Sequence, residues 1–507
     1  MTELKENPSK KHFLYPFLNP KSICVFGANN EFLSTMGAMQ LRNVIFGGFP
    51  KNKIFPIHPR LNEIQGLKAY NNVLELPEIP ELAFIILRPK IVPKVLEECG
   101  QKGIKHVIIT SGGFREVGNV DLNKNLAQIA NSYDIRFIGP NCLGIYNAWY
   151  RYPEFNQVCL NTMWIYAKPE RGNISIIAQS GTVASHIFWI CREIGVKIGK
   201  SISSGNEDNI DTIDFLEYFR DDPQTKVIGI YVEEIKRGKE FVELAKQIVP
   251  EKPIITIYAG GTEAASRSIM GHTGAIAGDD QIFESVFRNT GIISTISIKD
   301  WMYYLRTFSS GIIPNGNRLG IITDSGGCGA MMAKAAEKIG LTVPEFSDEL
   351  KSKLKKYVPD VANIDNPLDL TFQFNQYNLY IKIPKLMINS GEVDGIILYA
   401  IFGFEEVLDI IKRSGGKTYE EFDISNEMMK NIYLKPTQRL IKKKSVPIFY
   451  IGPQGYQNPW VRELIKSNIP VFDLWDMPVK CFAALTKYSE NRERLRCQLL
   501  KDPTEEK

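Results

Sequence analysis

Histidine is scarce in this 507-residue chain. Five are present, too few for a polyhistidine metal site. Cysteine is sparse too: eight residues, at 24, 99, 142, 159, 191, 328, 481 and 497, include no Cys-x-x-Cys pair. That usage excludes a disulfide scaffold and suits a reducing compartment. An excess of one charge is missing. Lys and Arg number 61 against 57 Asp and Glu, a net +4, which excludes gripping nucleic acid by bulk charge. Long apolar runs are missing as well. The longest, over 395–404, is about half of the ~20 residues a membrane helix needs. The uncharged stretch 172–191 is interrupted by Asn173, Gln179, Ser180, Thr182 and His186. Residues 1–14 mix Lys, Glu and Pro without the apolar stretch of a secretory leader, so the expected location is the cytoplasm. Finally, no complete Gly-x-Gly-x-x-Gly fingerprint follows the first strand, which argues against a nicotinamide dehydrogenase.

What is present is an ordinary globular balance, 44% apolar and 23% charged. A chain of this length predicts about three domains. Apolar, β-branched runs alternate with helical patterns from end to end, the pattern of parallel sheets built from βαβ units. The first set of strands is expected over 22–27, 53–58, 82–87, 106–111 and 136–139. A second is expected over 173–178, 198–203, 227–232 and 253–258, and a third over 318–323, 395–402, 447–451 and 470–474. Residues 147–171, with prolines and aromatics, read as an irregular linker, and 312–317 as a boundary. The polar stretch 414–444 reads as an insertion, and the charged end, 487–507, as a solvated helix or tail.

The recurring event is a strand, a short glycine-rich turn and a helix. Such a turn aims backbone N–H groups and the positive end of the helix dipole at one point, which attracts phosphate. In open α/β sheets ligands collect at these strand ends. In the first set, Gly27-Ala28-Asn29-Asn30, with Gly37 ten residues after Gly27, would let a nucleotide phosphate approach the backbone. Arg88-Pro89, Ser111-Gly112-Gly113-Phe114 and Gly139-Pro140-Asn141-Cys142 end further strands. Lys51, Lys53 and Arg60 read as solvated surface. Two more turns, Gln179-Ser180-Gly181-Thr182 and Thr323-Asp324-Ser325-Gly326-Gly327, place hydroxyls and glycine amides at helix starts. One phosphoryl group held from two sides would use both; ordinary turns that bind nothing are the alternative.

His272 sits in Gly271-His272-Thr273-Gly274-Ala275, within a small-residue segment, 260–280, that reads as a mobile loop. A neutral imidazole nitrogen is a competent nucleophile near neutral pH and could carry a phosphoryl group. It would need a carboxylate to orient the ring. Glu233, at a strand end, could serve; otherwise it is a surface carboxylate beside Lys236 and Arg237. Gly415-Gly416-Lys417-Thr418 resembles the end of a Walker A motif, but Ile411 stands where the earlier glycine belongs, so it reads as a polar loop.

Six ordered motifs then resemble one family. They are Asn19-Pro20-Lys21-Ser22-Ile23, Gly139-Pro140-Asn141-Cys142-Leu143-Gly144, Gln179-Ser180-Gly181, Ser204-Gly205-Asn206, His272-Thr273-Gly274-Ala275 and Asn366-Pro367-Leu368-Asp369-Leu370. From about Phe17 to about Tyr488 the chain resembles the α subunit of ADP-forming (NDP-forming) acyl-CoA synthetases, relatives of succinyl-CoA synthetase. Gly271, His58 and Asn29-Asn30 depart from the family pattern. The resemblance implies an α/β protein with three doubly wound parallel-sheet domains. These would be a Rossmann-like CoA-binding domain (15–146), a flavodoxin-like CoA-ligase domain carrying the phosphohistidine loop (147–311) and a second such domain (312–490), followed by a charged tail (491–507).

The resemblance further implies that acyl-CoA, ADP and phosphate are reversibly converted to acid, CoA and ATP through an acyl phosphate and a phosphohistidine. His272 would carry the phosphoryl group and Glu233 would be its carboxylate partner. Ser180, Gly181 and Thr182, with Ser325, Gly326 and Gly327, would cradle the phosphate. Gly27, Asn29, Arg88, Ser111 and Asn141 would line the coenzyme A site. No metal is expected on this chain. ATP or ADP with Mg would bind a separate ATP-grasp β subunit, in a hetero-oligomer with dimerised α subunits. The alternative is a non-catalytic CoA-binding regulatory or scaffold protein of the same fold.

Overall fold

The computed structural model describes residues 8–31, 35–150, 159–165, 170–273, 278–371, 375–399, 413–415, 430–452 and 458–501, with backbone alone at 272–273, 459–460 and 501. The chain forms two compact units. One comprises Met1–Arg192 and Val196–Trp301, the other Glu193–Gly195 and Met302–Lys507.

The first unit holds two sheets. Its first sheet contains β1 (Ile23–Phe26), β2 (Ile54–Ile57), β5 (Leu82–Ile85), β6 (His106–Ile109) and β7 (Arg136–Ile138), in the order β2-β1-β5-β6-β7 and parallel throughout. A small antiparallel hairpin, β3 (Glu63–Ile64) with β4 (Leu67–Lys68), lies between β2 and β5 in the chain. These strands are continuous apolar runs because a parallel sheet is covered on both faces. Cys24, Phe26, Ala83, Ile85, Val107 and Ile109 pack with Leu96, Phe114 and Leu126 into one buried core.

The second sheet holds β8 (Gly144–Asn147), β9 (Leu160–Asn161), β10 (Ile174–Ala178), β11 (Ile198–Ser203), β12 (Val227–Val232), β13 (Ile254–Tyr258) and β14 (Ile293–Ser294). Their order is β14-β13-β12-β10-β11-β8-β9. All five residues of β10, Ile174 to Ala178, are buried, and burying each large aliphatic side chain contributes roughly 1.5–3 kcal/mol. The helix Gly238–Ile248 shows how the sheet is covered. Phe241, Leu244, Ala245 and Ile248 recur at helical spacing and are buried, while its charged residues face out.

The second unit carries β15 (Leu319–Thr323), β16 (Leu368–Asp369), β17 (Gly395–Tyr399), β18 (Ile448–Ile451) and β19 (Val471–Phe472), parallel and ordered β16-β15-β17-β18-β19. Ile322, Leu350, Met387, Ile396, Leu398 and Ile448 belong to its core.

Thirteen-fold repetition of apolar run and turn made the long strands legible, but four details differ. The second sheet is not wholly parallel: β8 pairs antiparallel with β11, and β9 with β8. Residues 147–171 are therefore not simply a linker; 159–165 are largely buried and supply β9. Trp149 and Tyr150 pack there, the indole N–H donating to the Gly172 carbonyl (2.6 Å) and the phenol to that of Pro20 (2.7 Å). The segment 260–280 is not a loop throughout. Glu263–Thr273 is a helix, because its alanines, Glu263 and Arg267 are good helix formers as well as small or polar. The chain end continues as one helix, Asp476–Lys501, in which Tyr488 and Leu495 are buried. The Gly416–Thr418 part of the Walker-like stretch lies outside the described residues.

Candidate active site

All three sheets share one topological device. In each, the first parallel strand lies between the second and the third: β1 between β2 and β5, β10 between β11 and β12, β15 between β16 and β17. The crossovers from the first and third strands therefore leave toward opposite edges, opening a crevice at their C-terminal ends, where ligands bind in such sheets. Most of the sequence-selected residues fall at these three points; Ser111 and Asn141 follow β6 and β7, and His272 lies on the helix after β13.

At the first, Gly27 follows β1 with φ +87°, a conformation a side chain disfavours, and a Cβ there would stand 2.0 Å from the Ile86 carbonyl oxygen. A Cβ on Gly37 would stand 2.4 Å from the Gly27 carbonyl oxygen, so the helix Met36–Phe46 starts directly against the turn. Thr35 caps that helix and also accepts from the Asn29 amide (2.5 Å). Gln65 of the hairpin donates to the carbonyls of Asn29 (3.1 Å) and Ala38 (2.8 Å), fixing the turn from the other side. Arg88, after β5, is exposed. The Ser111 hydroxyl accepts from the Leu87 amide (3.0 Å), and its carbonyl accepts from the Asn141 amide (2.9 Å). Gly27, Asn29, Arg88, Ser111 and Asn141 thus lie along one edge of the sheet, following β1, β5, β6 and β7.

At the second point, Ser180 follows β10 and begins the helix Gly181–Glu193, its hydroxyl accepting from the Val183 amide (3.4 Å). A Cβ on Gly181 would meet Leu143 at 2.5 Å, so the turn packs against the strand β8 entry. Glu233 follows β12 and is 2% exposed, which rules out the surface-carboxylate alternative. Gln179 joins the two strand ends: its Oε1 accepts from the amides of Glu233 (2.6 Å) and Glu234 (3.0 Å). Tyr231, two residues before Glu233 on the same face, hydrogen-bonds the Glu233 carboxylate; burial and then that negative charge push the phenol up to about 12.

A charged cluster ties this point to the turn after β6. Arg115 forms an ion pair with Asp208 (3.1 Å) and donates to the Asn206 carbonyl (2.8 Å). Asn206 donates to Glu116 (2.7 Å), and Lys236 donates to the carbonyls of Asn206 (2.9 Å) and Glu207 (2.6 Å). Burial pushes Asp208 up to about 6, against the opposing pull of Lys236 and Arg115. The helix Glu263–Thr273, with His272 in its last turn, packs against the short turn of helix Arg115–Val117. The chain therefore brings His272's helix, the β6 turn of the first sheet and the β10–β12 crevice of the second into one unit.

At the third point, in the other unit, Ser325 precedes the helix Gly326–Lys338. Thr323 fixes the turn, its hydroxyl donating to the Ser325 carbonyl and accepting from the Ser325 amide, both at 2.9 Å. Gly326 and Gly327 are exposed. A Cβ on Gly326 would stand 2.7 Å from the Asp369 carboxylate, whereas Gly327 has open space around it. Tyr399 ends β17 beside this turn; burial first, and then the charges of Cys328 and Asp324, raise its phenol.

Sequence reasoning missed Gln179 as a link, and Tyr231, Arg115, Glu207 and Asp208 altogether. The strand order needed to find them is invisible in one dimension, although the acidic pair after Ser204-Gly205-Asn206 was a signal. Among the described residues no group of three or more His, Cys, Asp or Glu is placed to hold a metal ion, and no helix is long and apolar enough to cross a membrane.

Comparison with known proteins shows what the chain resembles. A family model described as a CoA binding domain matches residues 21–148, and one described as a succinyl-CoA ligase-like flavodoxin domain matches 171–308. The α subunit of ADP-forming acetate–CoA ligase I of Pyrococcus furiosus is 35% identical over 490 residues, covering 94% of this chain and 98% of that protein. The ADP-forming acetate–CoA ligase of Methanocaldococcus jannaschii is 38% identical over 351 residues, 69% of this chain but 48% of that longer protein. Against that relative, the chain spans about half the length. An acetyl-coenzyme A synthetase from Candidatus Korarchaeum cryptofilum, solved with phosphate and ADP, matches with a TM-score of 0.79 at 29% identity, covering 96% of this chain and 99% of that one.

Proposed function

Because the chain belongs to the family of ADP-forming acyl-CoA synthetase α subunits, we propose that it is the acyl- and phosphoryl-transferring subunit of an ADP-forming acid–CoA ligase. Phosphate attacks the acyl-CoA carbonyl, the C–S bond breaks, and acyl phosphate and CoA thiol result. A His272 ring nitrogen then attacks the phosphorus; the P–O bond to the acyl group breaks and the free acid leaves as carboxylate. The helix N-terminus at Ser180–Gly181–Thr182 receives the phosphoryl charge with N–H groups already aimed, which avoids reorganisation during transfer. Glu233 orients the imidazole, and its burial keeps the interaction strong by excluding water. The turn Ser325–Gly326–Gly327 offers the phosphate a second set of helix-start amides. ADP held by the β subunit then takes the phosphoryl group: its phosphate oxygen attacks the phosphorus, the N–P bond to His272 breaks, and ATP forms.

Coenzyme A is the ligand of the first sheet, held at Gly27, Asn29, Arg88, Ser111 and Asn141. An ATP-grasp β subunit, binding ADP or ATP with Mg, completes the enzyme. A longer relative supports that division, since the match covers 48% of its length. One observation carries the reading: Glu233 is buried, and its backbone amide donates to the Gln179 side chain, which places this acid in the same crevice as the Gln179–Ser180 turn, within the unit that holds His272. A non-catalytic CoA-binding scaffold would have no use for it.

The test is the assay of ATP made from acetyl-CoA, ADP and phosphate by the complex of both subunits. His272→Ala abolishes ATP formation and leaves CoA binding intact. Turnover by that variant at the wild-type rate would end the proposal.

A further inference from the structure

Gln179 carries a feature that neither the phosphate turn nor the carboxylate explains by itself. Its side chain is buried, 6% exposed, and all of its hydrogen-bonding capacity is used. Oε1 accepts two amides, those of Glu233 (2.6 Å) and Glu234 (3.0 Å). Nε2 donates to the Glu234 carbonyl (2.8 Å) and to the buried Glu207 carboxylate. An amide offers two acceptor sites and two donors, so its orientation is fixed by four partners. Glu207 is in turn fixed, accepting from the hydroxyls of Ser204 (2.7 Å) and Thr212 (2.7 Å). Two successive amides converging on one oxygen end the β12 ladder and set the direction in which Glu233 leaves the strand. The same residue is joined by its own backbone to Ser180.

We propose that Gln179 is a positioning residue that holds the Glu233 carboxylate in register with the Ser180–Thr182 phosphate turn. The proposal rests on the reading of Glu233 as the carboxylate that orients His272. It adds a member to the relay: the Glu207–Gln179 pair sets the distance between the group that orients the nucleophile and the amides that receive the charge. A misplacement on the order of 1 Å at such a point costs about 100-fold in rate. Gln179→Glu is the informative change, because it keeps the shape and replaces the donor with an acceptor facing the Glu234 carbonyl and the Glu207 carboxylate. Glu207→Gln, added to it, restores a donor across that contact.

The experiment uses the complex of both subunits and acetyl phosphate as the phosphoryl donor, following label on His272 in single turnover beside thermal unfolding. Gln179→Glu should lower the saturating labelling rate roughly 10- to 100-fold while the half-saturating acetyl phosphate concentration stays within about twofold. The Gln179→Glu, Glu207→Gln double variant should recover most of the rate. Wild-type labelling in Gln179→Glu, with Glu233→Gln inactive, overturns the positioning role and leaves the Glu233 reading standing. Wild-type labelling in Glu233→Gln overturns both. Rate, half-saturation and unfolding temperature all shifting together in Gln179→Glu would mark a merely structural residue and also overturn the proposal.

Discussion

Arg115, in the turn after β6, forms an ion pair with Asp208, beyond the end of β11, at 3.1 Å. The contact bridges the first and second sheets, and it costs something. Asp208 is largely buried and its carboxyl is pushed up to about 6 by that burial, despite Arg115 and Lys236. The folded chain thus holds the Asp208 proton more tightly than the unfolded chain, whose carboxyl titrates at the usual 3.8. The contribution of this group to stability is full below pH 3.8, falls as pH rises from about 4 to about 6, and is level above that, a loss on the order of 3 kcal/mol. Subtracting the unfolding profile of Asp208→Asn from that of the wild type should isolate this decline. Parallel profiles between pH 4 and 6 would show that Asp208 titrates normally.

Gly27 makes the second prediction. Any Cβ on Gly27 would collide with the Ile86 carbonyl at 2.0 Å, and φ +87° disfavours a side chain. Gly27→Ala should open the β1 turn and weaken CoA binding by about tenfold or more, about 1.4 kcal/mol, measured by calorimetry. Unchanged affinity would move the CoA site away from β1.

A third prediction concerns a pair remote from the chemistry. Lys200 on β11 and Asp222 are 2% and 1% exposed and 2.7 Å apart. Lys200 also donates to Gln224 (2.7 Å), and burial lowers its pKa against the pull of Asp222. Lys200→Met leaves the Asp222 charge buried without its cation, and should cost about 3–5 kcal/mol. The double variant with Asp222→Asn should recover part of that loss in chemical denaturation. Equal midpoints for wild type and Lys200→Met would contradict it.

How far the sequence carried depended on periodicity. β10, β11, β12 and β13 are long, apolar and bounded by turns, so they stand out without a structure. β9, β14 and β16 are two residues long and exist only because a neighbour supplies the ladder. Small residues misled the reading of 263–273, since Ala264 and Ala265 suit a helix as well as a loop. Glu233 was legible as an acid at a strand end, whereas its burial and its link to Gln179 depend on β12 lying beside β10, which follows from strand order alone. Arg115 and Asp208 meet across 93 residues and two sheets; no local pattern announces such a pair.

The claim at the centre is that His272 carries the phosphoryl group. The direct measurement is mass spectrometry, under conditions that preserve acid-labile phosphate, of the complex of both subunits after incubation with ATP. The account predicts one phosphoryl group on His272, removed by added ADP or by acid with CoA, and absent from His272→Ala. A complex that makes ATP from acetyl-CoA, ADP and phosphate while His272 stays unmodified throughout would contradict it.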